Sequence, residues 1–265
     1  METAVGIVIP AYQPNVDRLT SYVEALTECI EPAVIRIELD EPTDEVLAAL
    51  ETLPVTVNAV TSRRGKGAAI TSGFEQLDTD VLVFADADGS TPAASVAAVL
   101  KPVVDGTAAL SVGSRRHPDA EVRSHQTRAR RRLGDAFAWL ARRALEVRLY
   151  DYQCGAKAIS AESWNEVRGH LVTPGFAWDI ELIAMAGALD VEVTEVPIVW
   201  EDQPESTVSP VATMIDLGTT LLTARHRAKC IAGNRLHRFV AARRGRRPSL
   251  VETLDVNAVD ESAGG

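Results

Sequence analysis

Cysteine, lysine and aromatic residues are scarce in this 265-residue chain. Its three cysteines, Cys29, Cys154 and Cys230, lie far apart. That spacing excludes a CxxC metal site and a paired disulfide framework, and predicts a reducing, intracellular setting. Aromatics make up 5% of the residues, too few to interleave with basic side chains as a nucleic-acid surface requires. No run reaches the roughly 18–20 uninterrupted apolar residues of a membrane span. Met1-Glu2-Thr3 lacks a basic leader and strand-like residues follow at once, so no signal peptide is expected. With 46% apolar and 24% charged residues, the composition suits a folded domain and excludes collagen or wholesale disorder.

Charge is present but unevenly spread. The net charge is −10, yet no acid occurs between Leu217 and Val251, where nine Arg or Lys stand. A second basic block, residues 111–150, holds ten arginines against Asp119, Glu121, Asp135 and Glu146. Two basic blocks in an acidic chain suggest anionic surfaces to be met, or else solvated helix faces. The acidic first half would repel a duplex, so nucleic acid is not an expected partner.

Short apolar runs alternate with helical patterns. Val5–Ile9, 34–39, 55–60, 81–85 and 108–113 read as strands, and 15–30, 44–52, 66–77 and 92–104 as helices. This order predicts an α/β fold with a mostly parallel central sheet and helices on both faces. A long Arg-rich helix over 125–147 follows, and Val191–Val199 alternates like a half-exposed strand. We expect a catalytic domain over 1–210, a basic amphipathic helical segment over 211–247 and a disordered tail over 248–265. The helical segment suits either a membrane interface or packing on the domain.

Ligands of such sheets sit at the carboxyl ends of the strands. Asp86 and Asp88 follow an apolar strand at i and i+2, so both carboxylates can face one hard cation, Mg²⁺ or Mn²⁺. The alternative is an ordinary Asp-Gly turn. Arg63-Arg64-Gly65-Lys66-Gly67 opens a helix after a strand, a place that favours a phosphate, although a solvated basic turn has the same composition. Arg115, Arg116, Arg128, Arg130, Arg131 and Arg132 offer guanidinium forks to phosphate, but successive helical residues cannot all face one ligand.

In order along the chain, Val8-Ile9-Pro10-Ala11-Tyr12, Arg64-Gly65-Lys66-Gly67, Asp86-Ala87-Asp88-Gly89 and Gly113-Ser114-Arg115 form one set with three later motifs. Those are Asp151-Tyr152-Gln153-Cys154-Gly155-Ala156-Lys157, Trp178-Asp179-Ile180-Glu181-Leu182 and Glu195-Val196-Pro197. Over residues 4–230 the set resembles the family 2 inverting glycosyltransferases of the polyprenyl-phosphate sugar synthase branch, most closely the dolichyl-phosphate β-glucosyltransferases. The resemblance implies a GT-A nucleotide-sugar fold and transfer of a hexose, best glucose from UDP-glucose, onto dolichyl or polyprenyl phosphate. The β-linked product would serve glycan or glycoprotein assembly. It further implies that Pro10, Ala11, Tyr12, Asp40, Lys66, Asp86 and Ala87 bind the donor, and that Asp86 and Asp88 hold the metal. Arg115 with Arg130 or Arg131 would bind the acceptor phosphate. Asp88, Arg115, Asp151, Gln153, Lys157 and Asp179 would form the reaction centre, with Glu181 in or beside it. A peripheral place on the cytoplasmic face of a membrane is implied as well.

Three positions depart from the family pattern: Gln13-Pro14, Asp40-Glu41-Pro42-Thr43 and Ser206-Thr207. A GDP-mannose-dependent polyprenyl-phosphate mannose synthase is the nearest alternative. A catalytically silent nucleotide-sugar-binding module at the membrane is an alternative of another class.

Overall fold

A computed structural model describes residues 3–123, 128–201, 210–243, 245 and 247–254, with the side chains of 128–133 and 210–216 excepted. Strand β1 (Val5–Tyr12) lies inside a seven-stranded sheet, between β2 (Val34–Asp40) and β4 (Val81–Ala85), and parallel to both. β3 (Thr56–Val60) pairs parallel with β2 at one edge. Beyond β4 come β7 (Ala156–Ser160), β5 (Leu110–Ser114) and β8 (Val193–Pro197). β7 runs antiparallel to both neighbours, so the sheet is mostly parallel, as expected.

The apolar runs are strands because both faces of the sheet are covered. Successive β1 side chains enter opposite cores: Ile7 and Ile9 join one cluster, Val8 the other. On the Ile7 side lie α1 (Val16–Ile30), α2 (Asp44–Leu50) and α4 (Ala93–Val104). α1 starts where expected because Asn15 accepts from the Arg18 amide at 3.0 Å. On the Val8 side lie α3 (Lys66–Glu75), α5 (Arg128–Ala144), α6 (Ala161–Val167), α7 (Trp178–Ala188) and α8 (Pro210–Ile231). A short parallel pair, β6 (Glu121–Arg123) with β9 (Val199–Glu201), lies outside the main sheet.

At the C-terminus α8 packs on the domain and part of the tail is structured. α8 is built into the core through Leu217, Leu221, Ala224 and Ala228, and its basic residues are held internally. Arg227 pairs with Glu181, Lys229 with Glu146 at 2.7 Å, and Arg225 donates to the Ala144 carbonyl at the end of α5. Residues 248–254, expected to be disordered, instead contain a helical turn. Ser249 and Glu252 cap it reciprocally, the Leu250 amide donates to the Leu171 carbonyl at 2.7 Å, and Leu250 is buried. Residues 255–265 of that tail lie outside the described residues. α9 (Arg235–Ala241) follows α8 across Gly233, whose φ is +79°. Among the described residues no helix is long and apolar enough to cross a membrane.

α3 lies close on the sheet because Gly73 has no side chain. A Cβ there would stand 2.6 and 2.7 Å from the two methyls of Val8, in the middle of β1. Gly73→Ala should therefore cost about 1–3 kcal/mol through overpacking, read as a lower urea midpoint at unchanged slope.

Candidate active site

The parallel strands deliver their carboxyl ends to one cavity of about 540 Å³. Its lining includes Pro10, Ala11 and Tyr12 from β1, Asp40 from β2, Lys66 from α3, and Asp86, Ala87 and Asp88 after β4. Every residue expected to bind the donor is thus brought to one place. Arg63 of the basic turn lines it too, as do Arg18 and Phe176. The Arg63 guanidinium lies 4.0 Å from the centre of the Tyr12 ring, making a flat cationic shelf at one end.

Asp40 departs from a simple base contact. Its Oδ2 accepts from the amides of Arg64 (2.8 Å) and Gly65 (3.0 Å), and its Oδ1 from Arg64 Nε (2.8 Å). The anion expected where α3 begins is therefore supplied by the chain itself. Arg64 continues to Glu38, a fully buried carboxylate that also binds Arg36 and Asn58. Glu38 was missed; its signal was an Arg-x-Glu alternation inside an apolar strand. Gly65, at φ +93°, and Gly67 are required by close approach: a Cβ at Gly65 would meet the Pro174 carbonyl at 2.7 Å, and one at Gly67 the Trp178 Cβ at 2.5 Å.

Lys66 brings its ammonium to the carboxylates of the cavity wall. Its Nζ is 2.8 Å from Asp86 and 3.2 Å from Asp179 on α7. Burial alone would lower the ammonium pKa, but the charges of Asp179 and Asp86 outweigh it and hold the pKa above the ordinary lysine value. Asp179 also meets Lys157 Nζ at 2.5 Å, and Lys157 donates to the Cys154 carbonyl at 2.9 Å. Lys157 is fully buried and does not line the cavity, so it acts by holding Asp179. Glu181, two residues on, accepts from the Val172 and Thr173 amides at 2.8 Å and pairs with Arg227; it ties a loop and α8 to α7.

Asp88 stands at the exposed mouth and accepts from the Ser90 amide at 2.9 Å. Restricted hydration, then the charge of Asp86, push its carboxyl above the usual carboxylate range. Burial, then these same two carboxylates, push the neighbouring Tyr22 phenol well above its ordinary value. Asp86 lies tight against the 151–155 segment: a Cβ at Gly155 would overlap its carboxylate. Among the described residues no third His, Cys, Asp or Glu completes a metal cluster. Two carboxylates with substrate phosphate oxygens and water suit Mg²⁺ or Mn²⁺, and the local excess of negative charge fits a cation there.

Arg115 and Asp151 form the second part of the site. Arg115 donates to Asp151 from Nε (2.6 Å), Nη2 (3.0 Å) and its amide (3.2 Å), and from Nη2 to the Gln153 carbonyl (3.0 Å). Burial opposes ionisation of Asp151, but the Arg115 charge and hydrogen bonds hold its carboxyl well below the usual range. Glu195, which was not ranked among the site residues, fixes the loop by accepting from the Tyr150 and Asp151 amides at 2.8 Å. The Cys154 thiol is pushed up to about 11 by burial and then by Asp151, so it is inert. The side chains of Arg130 and Arg131, and also of Arg128 and Arg132, lie outside the described residues, as do Ser206 and Thr207.

The Glycosyl transferase family 2 model matches residues 7–160. Glycosyltransferase AglD of Haloferax volcanii is 28% identical over 230 residues, covering 82% of this chain and 36% of that protein. The dolichyl-phosphate beta-glucosyltransferase of Mus musculus is 28% identical over 178 residues, covering 65% of this chain and 55% of that protein. The chain thus spans about half, or less, of the length of these curated relatives. Among solved structures, glucosyl-3-phosphoglycerate synthase from Mycobacterium tuberculosis, in complex with Mn²⁺, UDP and phosphoglyceric acid, superposes with TM-score 0.61 at 16% identity. That match covers 87% of this chain and 79% of the other. Mannosyl-3-phosphoglycerate synthase from Rubrobacter xylanophilus gives TM-score 0.65 at 15% identity, covering 87% and 75%.

Arg115→Gln should leave a buried carboxylate without its cation and cost about 3–5 kcal/mol in urea unfolding at pH 7. Because the folded-state pKa of Asp151 is depressed, the pair stabilises fully above the ordinary value of 3.8 and loses that stabilisation as pH falls below it. The variant should therefore show a shallower loss of stability between pH 4 and pH 2.5 than the wild type; equal slopes would remove the pair from the acid limb.

Proposed function

The chain belongs to glycosyl transferase family 2 and has the GT-A fold, and we propose that it moves glucose from UDP-glucose onto a dolichyl or polyprenyl phosphate. The observation that carries this reading is the adjacency of two sites: a donor cavity holding the Asp86–Asp88 pair, and the Asp151-clamped Arg115 beside it. Asp86, whose amide donates to the Gly155 carbonyl, joins them through the 151–155 segment. The names of the relatives support the donor sugar and the lipid acceptor.

The chemistry asks little of a base. A phosphate monoester has its second pKa near 6 and is already a nucleophile at pH 7. Asp151, held ionised by Arg115, is not placed to take a proton; its work is to orient the guanidinium. Arg115, a quarter exposed, would receive the acceptor phosphate and relieve the repulsion between two anions. The acceptor oxygen forms a bond to the sugar C1 as the bond from C1 to the diphosphate oxygen breaks. That single displacement turns an α-linked donor into a β-linked product. Asp86 and Asp88 would hold Mg²⁺ or Mn²⁺, which supplies charge neutralisation for the diphosphate leaving group. Lys66 adds a fixed positive charge to the same wall. Tyr12 and Arg63 would flank the nucleotide. A peripheral position at the cytoplasmic face of a membrane would bring the lipid to this mouth.

The test is a transfer assay on purified protein with Mg²⁺ or Mn²⁺, polyprenyl phosphate and a panel of labelled UDP- and GDP-sugars. A lipid-linked product formed from UDP-glucose is expected; product only from GDP-mannose, or donor hydrolysis alone, would overturn the reading. Asp88→Ala should lower transfer about a thousandfold, the scale of metal charge stabilisation, with an unchanged circular dichroism spectrum.

A further inference from the structure

A second cavity, of about 720 Å³, shares no lining residue with the donor cavity. Four guanidinium groups, Arg116, Arg142, Arg143 and Arg148, line it against one carboxylate, Asp135. Asp135, Ala138, Trp139 and Arg142 fall at helical spacing on one stripe of α5. Arg116 is pinned to Asp135 and lies across Gly134, where any Cβ would collide with its guanidinium. Arg142 stacks on Tyr150 at 4.5 Å and Arg143 on Trp139 at 4.4 Å. Among the described residues no carboxylate pairs with Arg142, Arg143 or Arg148. Stacking engages the planar faces of the guanidiniums and leaves their N–H edges without an acceptor among the described residues, the arrangement that binds phosphate oxygens.

The cavity also has an apolar margin. Trp139 is 57% exposed and Leu140 47%, both large for a surface that borders only water. Trp beside arginines suits the boundary between lipid headgroups and acyl chains. The site adjoins the reaction centre in the chain, since Arg116 follows Arg115 and Tyr150 precedes Asp151. We propose that this cavity is a second anion site that seats the phosphate of a lipid, outside the donor cleft. Only the identity of that lipid rests on the proposed transfer reaction.

The full chain would be mixed with vesicles of phosphatidylcholine alone, doped with phosphatidylglycerol, or doped with polyprenyl phosphate, and binding read by flotation. Wild type should float with one or both anionic preparations, and Trp139 emission, isolated against Trp139→Phe, should shift to the blue. The double variant Arg142→Gln/Arg148→Gln should bind roughly tenfold more weakly or worse, with UDP affinity unchanged by calorimetry. Loss confined to one preparation identifies the acceptor monoester or the bilayer phosphodiester as the lipid. Equal binding by wild type and variant would overturn the site. A Trp139 shift with inorganic phosphate, in protein that floats with neither preparation, would overturn the lipid assignment. Variant-sensitive binding without sugar transfer would support this site and overturn the proposed reaction.

Discussion

Asp179 is 2% exposed and faces two ammonium groups, Lys157 and Lys66, which come from β7 and α3. A buried carboxylate is tolerable only when charges and hydrogen bonds of this kind surround it, so this contact fixes how α7, the antiparallel strand and α3 meet. Lys66 then extends the chain of charge outward to Asp86 at the cavity wall. Two lysines balance Asp179 and Asp86, and among the described residues Asp88 has no ion-pair partner. Restricted hydration and then the Asp86 charge push the Asp88 carboxyl upward, and the local count of charge suits it as a ligand for a cation. The cavity wall is thus the outer end of a network anchored in the core.

The other half of the site follows the same principle with a different cation. Asp151 satisfies Arg115 at three donors, and Glu195 holds the loop that carries Asp151. The guanidinium is positioned before any ligand arrives, so little of its side-chain entropy remains to be lost on binding. Around the corner, Arg142 and Arg143 of α5 lie on rings, and among the described residues neither pairs with a carboxylate. The contrast separates arginines that are neutralised for structure from arginines kept available for an anion.

Several parts were legible because they depend on local rules. The buried parallel strands read as apolar runs, Asn15 marked the start of α1, and the strand-end positions of Tyr12, Asp40 and Asp86 followed from the βα order. What escaped was long-range pairing. The basic residues of α8 have the composition of a lipid-facing surface, yet Arg227 and Lys229 find Glu181 and Glu146, 46 and 83 residues away. The Ser249–Glu252 cap was a local signal hidden by the polar, small-residue composition around it.

The sequence by itself determined the β–α alternation through β5, its layering into an α/β sheet and the set of residues delivered to one end of it, but not β7, α6 or α7. Periodicity, capping and the direction of parallel strands are properties of neighbouring residues, and they leave few arrangements open. Only the tertiary structure decided which charge meets which. Asp40 is turned onto the backbone before α3, Lys157 is sealed behind Asp179, and Arg142 and Arg143 are left on aromatic faces. Coulombic and hydrogen-bond energies depend on separations of a few ångströms and on burial, and neither can be read from positions along a chain.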